Sequence, residues 1–467
     1  MFKTRTMLFA GALAASLTVG AMASDNSVNE QLKALRAELD AVRVSNTQLQ
    51  GQVSQLRSAS DENWLNERRA QEVRSLVKEV LADADTRASL LEGGMSAGHN
   101  GKNFFLASED GSFNMKLGGQ LQFRYIWHQQ DQNSTTADND DMGFQFRRMK
   151  FNVKGHIGSP KITYALVLSG ARDTGAVKIQ DAKMGYKFGN GFAVNFGKYK
   201  IPFLREELTS SSRQLAVDRS IVTEYFTLDR SEQVELTYSG SNYKLAVSLN
   251  DGADEEFSTI GSDPADFAIA ARGDIALMGN LKQIKDFTTW SKDDTGLFLG
   301  GAIFYQAGDG NNADNSSESS ANYMAWTIDG SYESNGFSLY AAYMGSSMEY
   351  DNAVAGTDRD PSGFLVQAGY HIIPDTLEPF VRWETIDGDV ATEEEMQAVT
   401  FGLNWYLKKH NAKFTTDLVW VYEGDEPTTN PWGNSEFSDG LGFSGDDSGS
   451  AQNDDIFIWR AQFQLLF

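Results

Sequence analysis

In residues 142–158, Arg148, Lys150 and Lys154 share one parity with Asn152 and His156, while Met149, Phe151, Val153 and Ile157 share the other. Cations at every second or fourth position of an extended segment project to one face. Such a row carries no nucleophile and no acid–base pair; what it can do is attract and hold anions. Neighbouring segments repeat the pattern, with Lys116 and Arg124 in 113–128, Lys161 in 160–170, and Lys183 and Lys187 in 176–189. Between Phe113 and Lys200 stand thirteen Lys or Arg against six Asp and no Glu, and four of those Asp fall in 131–141. The chain as a whole carries −24, so its cations are concentrated in one region. Local charge along a confined path matters more than the total, and rings of Arg or Lys are the usual device of anion pores. A second reading stays open: these charges solvate a wet interior and pair with Asp181, Glu235, Asp274 and Glu384.

Enzyme chemistry lacks its residues. There is no cysteine, so neither disulfides nor thiolates are available. The five histidines (His99, His128, His156, His371 and His410) have no metal-ligand spacing. No Gly-x-Ser-x-Gly elbow or phosphate-cradling glycine loop occurs. Asp- and Asn-rich runs at 138–141, 309–315 and 446–455 lack the EF-hand pattern and read as solvated loops. The expectation is therefore no enzyme and no cofactor or metal, and the acidic total argues against nucleic acid as a partner.

The elements that position the cations are strands. From Ile456 to Phe467, Phe457, Trp459, Ala461, Phe463, Leu465 and Phe467 alternate with Arg460, Gln462 and Gln464. Apolar-out, polar-in alternation over about ten residues marks a strand between lipid and a wet lumen. Fifteen similar runs precede it from Phe113 onward. The expected fold is all-β, a 16-stranded antiparallel transmembrane barrel over 113–467, preceded by an α-helical coiled coil. An even count places both ends on one side of the membrane. Short turns such as Gly189-Asn190-Gly191 and Ser334-Asn335-Gly336 alternate with longer polar loops. The stretch 279–295 is long for a periplasmic turn and fits this scheme least well.

The front of the chain points to export. Lys3 and Arg5, the apolar stretch from Met7 to Val19 and Ala21-Met22-Ala23 read as a signal peptide over 1–23. In 24–92, Val28, Leu35, Val42, Leu49 and Leu56 recur every seven residues. Leu32, Leu39 and Val53 stand between them, with Asn46 in the seam. This heptad predicts a periplasmic coiled coil. The glycines of 93–112 read as a linker.

The loop 201–231 carries Pro202, Phe203, Leu204, Leu208, Leu215, Val217, Ile221, Val222 and Phe226. So apolar a segment is expected to fold into the barrel and narrow it. Its charges balance: Arg205, Arg213, Arg219 and Arg230 face Glu206, Glu207, Asp218, Glu224 and Asp229. Simple alternation puts Arg147, Lys198 and Lys200 on the lipid side. Near the rim that costs about 0–1 kcal/mol, and a β-bulge would turn them inward.

At these residues the chain resembles the phosphate-selective porin O and P family. The likeness rests on FQFRRMKFNVKG (144–155), DAKMGYKFG (181–189), GKYKIPFLREELTSS (197–211) and DRS (218–220). The resemblance implies a homotrimeric porin of the outer membrane, with its third loop folded inward and anion-selective conduction. By position it matches Arg147 and Arg148 to the family's paired arginines, and Lys198 and Lys200 to its Gly-x-x-Lys-x-Pro-Phe stretch.

Together these readings give an outer-membrane channel for passive diffusion of anions, phosphate or polyphosphate among them. The expected pore-lining residues are Arg124, Arg147, Arg148, Lys150, Lys154, Lys183, Lys187, Lys198, Lys200, Arg213 and Arg219. Lipid, lipopolysaccharide and small anions are the expected partners. Two alternatives stand beside this: a non-selective porin, and a structural anchor tethered to the cell wall through the N-terminal coiled coil.

Overall fold

The computed structural model describes residues 33–51 in part, 95–130, 139–253, 265–307, 321–350, 358–389, 395–424, 441–443 and 455–467, apart from single positions 102, 173 and 266. The chain divides into two compact units, Met1–Ser89 and Leu90–Phe467. In the first, the described residues are helical and exposed, Asn46 and Leu49 among them. The signal peptide and most of the heptad seam lie outside the described residues.

The second unit is a ring of antiparallel strands. Two short ones come first, β1 (Met95–His99) and β2 (Phe104–Ser108). The wall begins with β3 (Asn114–Gln130), β4 (Asn139–Ile157), β5 (Ser159–Gly170), β6 (Val177–Gly189) and β7 (Phe192–Lys200). It continues with β8 (Arg230–Ser239), β9 (Tyr243–Asn250), β10 (Phe267–Met278), β11 (Gly296–Ala307) and β12 (Ala321–Ser334). It ends with β13 (Phe337–Tyr350), β14 (Ser362–Tyr370), β15 (Leu377–Asp387), β16 (Met396–Tyr406), β17 (Ala412–Glu423) and β18 (Ile456–Leu466). Each strand from β3 pairs with the next, and β18 closes on β3 from Ile456↔Gln130 to Leu466↔Gln120. All sixteen expected strands are present. At the tight turn Asn335-Gly336 both residues have positive φ, 49° and 79°, the geometry that lets a two-residue hairpin follow strand twist.

The seam holds a feature the sequence reading missed. Residues 93–112, expected as a linker, contain the β1–β2 hairpin. Strand β2 pairs with β3 from Phe104↔Leu117 to Ala107↔Asn114, the part of β3 that β18 leaves uncovered. Between the two, Phe467 exchanges backbone hydrogen bonds with Gly119. Its ring lies where a Cβ on Gly119 would come within 2.3 Å of a ring carbon, so a side chain there would push the Phe467 ring aside.

The barrel is filled on one side. The segment 201–229 enters it as expected, through α1 (Arg205–Leu208) and α2 (Ile221–Phe226), the latter capped by Ser220 accepting from the Thr223 N–H. Phe203, Leu215, Val222 and Phe226 are buried against the inward side chains of β10–β18. Gly363 makes room for this packing, because a Cβ there would meet Val222 and Phe226 at 2.9 Å. The second inward segment is 279–295, the connection from β10 to β11. Its Phe287, Thr288, Thr289 and Trp290 are buried. Thr288 shares a hydrogen bond with the Tyr406 hydroxyl, and Ser291 donates to Asp375. The length that made it a poor periplasmic turn is explained by this excursion. The two segments meet where Arg205 donates to the Ile284 carbonyl at 3.2 Å.

Candidate functional site

Strands β3–β7 form the other wall, covered by the loop along β3 and open along β4–β6. Gln120, Gln122 and Arg124 of β3 point inward, meeting Ser211 and Asp218 of the inward loop. On β4 the same face carries Arg148, Lys150, Asn152 and Lys154; Lys150 is half-buried and Lys154 exposed. One row crosses four strands in register, Lys116↔Lys154↔Ala165↔Lys183. Lys187 follows two positions beyond Gly185 and is exposed. On β10–β18, by contrast, the inward side chains are buried, including Arg272, Arg382, Asp417 and Arg460.

The paired arginines act together because of a β-bulge. The β3–β4 register passes from Gln122↔Arg148 to Phe123↔Phe146, which leaves Arg147 as the extra residue. The bulge corrects the parity expected from simple alternation and turns Arg147 inward beside Arg148. Both guanidiniums reach Asp218: Arg148 Nη2 donates to Oδ1 at 2.7 Å and Arg147 Nε to Oδ2. Arg124 Nη1 adds a third contact at 3.2 Å. Asp218 is fully buried. Burial alone would raise its carboxyl, but the guanidiniums of Arg147, Arg148 and Arg124 outweigh it and hold the group well below the ordinary carboxylate range.

The remaining expected residues separate by partner. Arg219 bridges Glu207 and Glu224, each at 3.1 Å. Lys200, where β7 ends, turns to the loop and meets Glu207 at 2.9 Å, so its lipid-side parity does not hold. Lys183 pairs with Glu235 at 3.3 Å and lies over the Tyr199 ring. Lys198 stands in register with Glu232 and is buried, unlike the exposed Phe196 of the same parity. Arg213 is exposed on the loop's short 3-10 turn. Among the described residues, Lys150, Lys154, Lys187, Lys116, Lys161 and Arg213 have no carboxylate within salt-bridge distance. Lys150 lies in the combined field of Arg148, Arg230, Lys200 and Arg219.

Of the four acids that could neutralise the interior, three are engaged: Asp181 with Arg230, Glu235 with Lys183, and Asp274 with Arg272. Glu384 instead accepts from the Val222 N–H. Sequence reasoning missed Asp218 as the common partner of three arginines, and it missed Gln145, whose Oε1 accepts from Arg124 at 2.7 Å. A cavity of about 700 Å³ opens beside this cluster, lined in part by His128, Gln145, Arg172, Lys178, Asp229 and Arg230.

A family model described as "Phosphate-selective porin O and P" matches residues 118–432. A solved structure, the anion-selective porin from Comamonas acidovorans, has the same fold: TM-score 0.53 at 12% identity, over 76% of this chain and 99% of that one. An uncharacterized protein of Aquifex aeolicus (strain VF5) is 29% identical over 269 residues, 52% of this chain. The match spans 63% of that relative's length.

Proposed function

The chain belongs to the phosphate-selective porin O and P family, and from that premise we propose that this outer-membrane channel passes small anions, phosphate and polyphosphate among them, by passive diffusion. One observation carries the reading. On the open wall, Lys150, Lys154 and Lys187 face the passage with no carboxylate partner among the described residues. The filled wall pairs its arginines with acids, as in Arg272–Asp329, Arg382–Glu206 and Arg460–Asp417. Uncompensated cations along a narrow, low-dielectric path concentrate anions and exclude cations.

Planar-bilayer recording in a KCl gradient tests this. A reversal potential on the anion side is expected, and cation preference refutes it. A homotrimeric assembly belongs to the same proposal, and crosslinking of detergent-solubilised protein checks it. The anchor reading draws on the exposed helix at 43–51. It expects a closed barrel with or without 24–92, whereas the channel reading expects conductance to survive that deletion.

A further inference from the structure

The family's paired arginines are already occupied here. Asp218 receives four N–H groups on its two oxygens: Arg148 Nη2 and the Arg219 backbone N–H on Oδ1, Arg124 Nη1 and Arg147 Nε on Oδ2. Gln145 and Gln122 hold Arg124 and Arg148 in place from behind, accepting at 2.7 and 3.0 Å. Several donors converging on two oxygens is the arrangement that binds a tetrahedral oxyanion. Three guanidiniums converge on this one carboxylate.

We propose that Asp218 is a resident anion: its carboxylate fills an oxyanion site built by Arg124, Arg147 and Arg148, and so keeps that site from retaining a doubly charged oxyanion during transit. The site lies beside the cavity lined by Gln145 and Arg230, and Arg147 keeps 13% of its side chain exposed, so solute can approach it. With the carboxylate in place, passing anions are attracted by the net charge but find the donors taken, and they move on along Lys150 and Lys154. Conduction is then fast and weakly selective among anions. Without the carboxylate, the same three arginines become a trap.

This inference rests on the anion-channel reading, so the wild-type reversal potential is measured first; cation preference there removes the reading itself. The test is block of the chloride current by inorganic phosphate. In Asp218→Asn, which keeps shape and removes charge, the half-blocking phosphate concentration is expected to fall about tenfold or more. An anion-selective wild type together with an Asp218→Asn channel whose phosphate block is unchanged overturns the inference and leaves Asp218 a strut for the loop. Adding Arg147→Gln to Asp218→Asn should reverse most of the gain. Should Asp218→Asn fail to assemble, Asp218→Ser reads the same site. It also removes the resident carboxylate, and the half-blocking concentration should fall; no change overturns the inference.

Discussion

Strands β10–β18 and strands β3–β7 present their inward side chains by the same alternation, yet the first wall buries them and the second, beyond the stretch of β3 and Arg148 that the loop covers, leaves most of them wet. On the filled wall the inward arginines have acids: Arg272 with Asp274 and Asp329, Arg382 with Glu206, Arg460 with Asp417. On the open wall the arginines near the loop are shared with Asp218, and Lys150, Lys154 and Lys187 have no acid among the described residues. A buried charge needs a partner or a hydrogen bond, so the filled half matches its arginines to acids and holds Glu384 on a backbone N–H. A hydrated charge carries no such requirement, so the open half is free to keep a net sign. The lesson is that unpaired charge is kept where packing ends.

The sharpest way to break the contrast is to unpair the filled wall. Arg382→Met strands Glu206, which is fully buried, and should cost about 3–5 kcal/mol. Thermal unfolding followed by the gel mobility of folded and heated barrel would show it. Next comes Lys150→Glu on the open wall. Opposite charges at about 4 Å in an effective dielectric near 20 interact by about 4 kcal/mol. Reversing Lys150 should therefore lower the anion-to-cation permeability ratio about tenfold or more with little change in stability. An unchanged reversal potential would move the narrow point elsewhere.

Acid should produce a smaller effect, with a definite sign. The Asp218 carboxyl is held below its ordinary value in the folded barrel. Its stabilising contribution is therefore complete above about pH 3.9, the unfolded value, and is lost only as pH falls through the depressed folded value. The stability gap between wild type and Asp218→Asn should be flat from about pH 5 to 8 and close under strong acid. The smallest effect is expected from Lys154→Gln. Lys116 and Lys154 stand directly opposite on neighbouring strands, and relieving such a like-charge pair is worth about 0.2–1 kcal/mol. Stability should rise slightly, while the anion current at low salt falls.

Much of this barrel was legible in the chain because its signal is local. Alternation is read within ten residues, and it placed sixteen strands and the inward face of β4. The apolar residues of 201–229 announced a loop that leaves water, since Phe203, Val222 and Phe226 could not remain exposed. What escaped was either non-local or a break in period. Asp218 is separated by 70 to 94 residues from the arginines it joins, and nothing in the loop's balanced charge marked it out. Arg147 defied parity, and the one hint of a bulge was the adjacency of two arginines in a strand whose face alternated cleanly. The 279–295 connection was conspicuous only for its length. The β1–β2 hairpin lay hidden among glycines that read equally well as a linker.

That hairpin has a consequence for any truncation. Strand β18 reaches only as far as Gln120, and β2 supplies partners for residues 114–117 of β3. Cutting the chain after residue 92 spares this cover. Cutting after residue 112 strips it, leaving a row of bare amide and carbonyl groups at the foot of the joint, where a stray strand from another molecule can add itself. The shorter protein would be expected to clump in detergent even though every residue of its transmembrane wall is present.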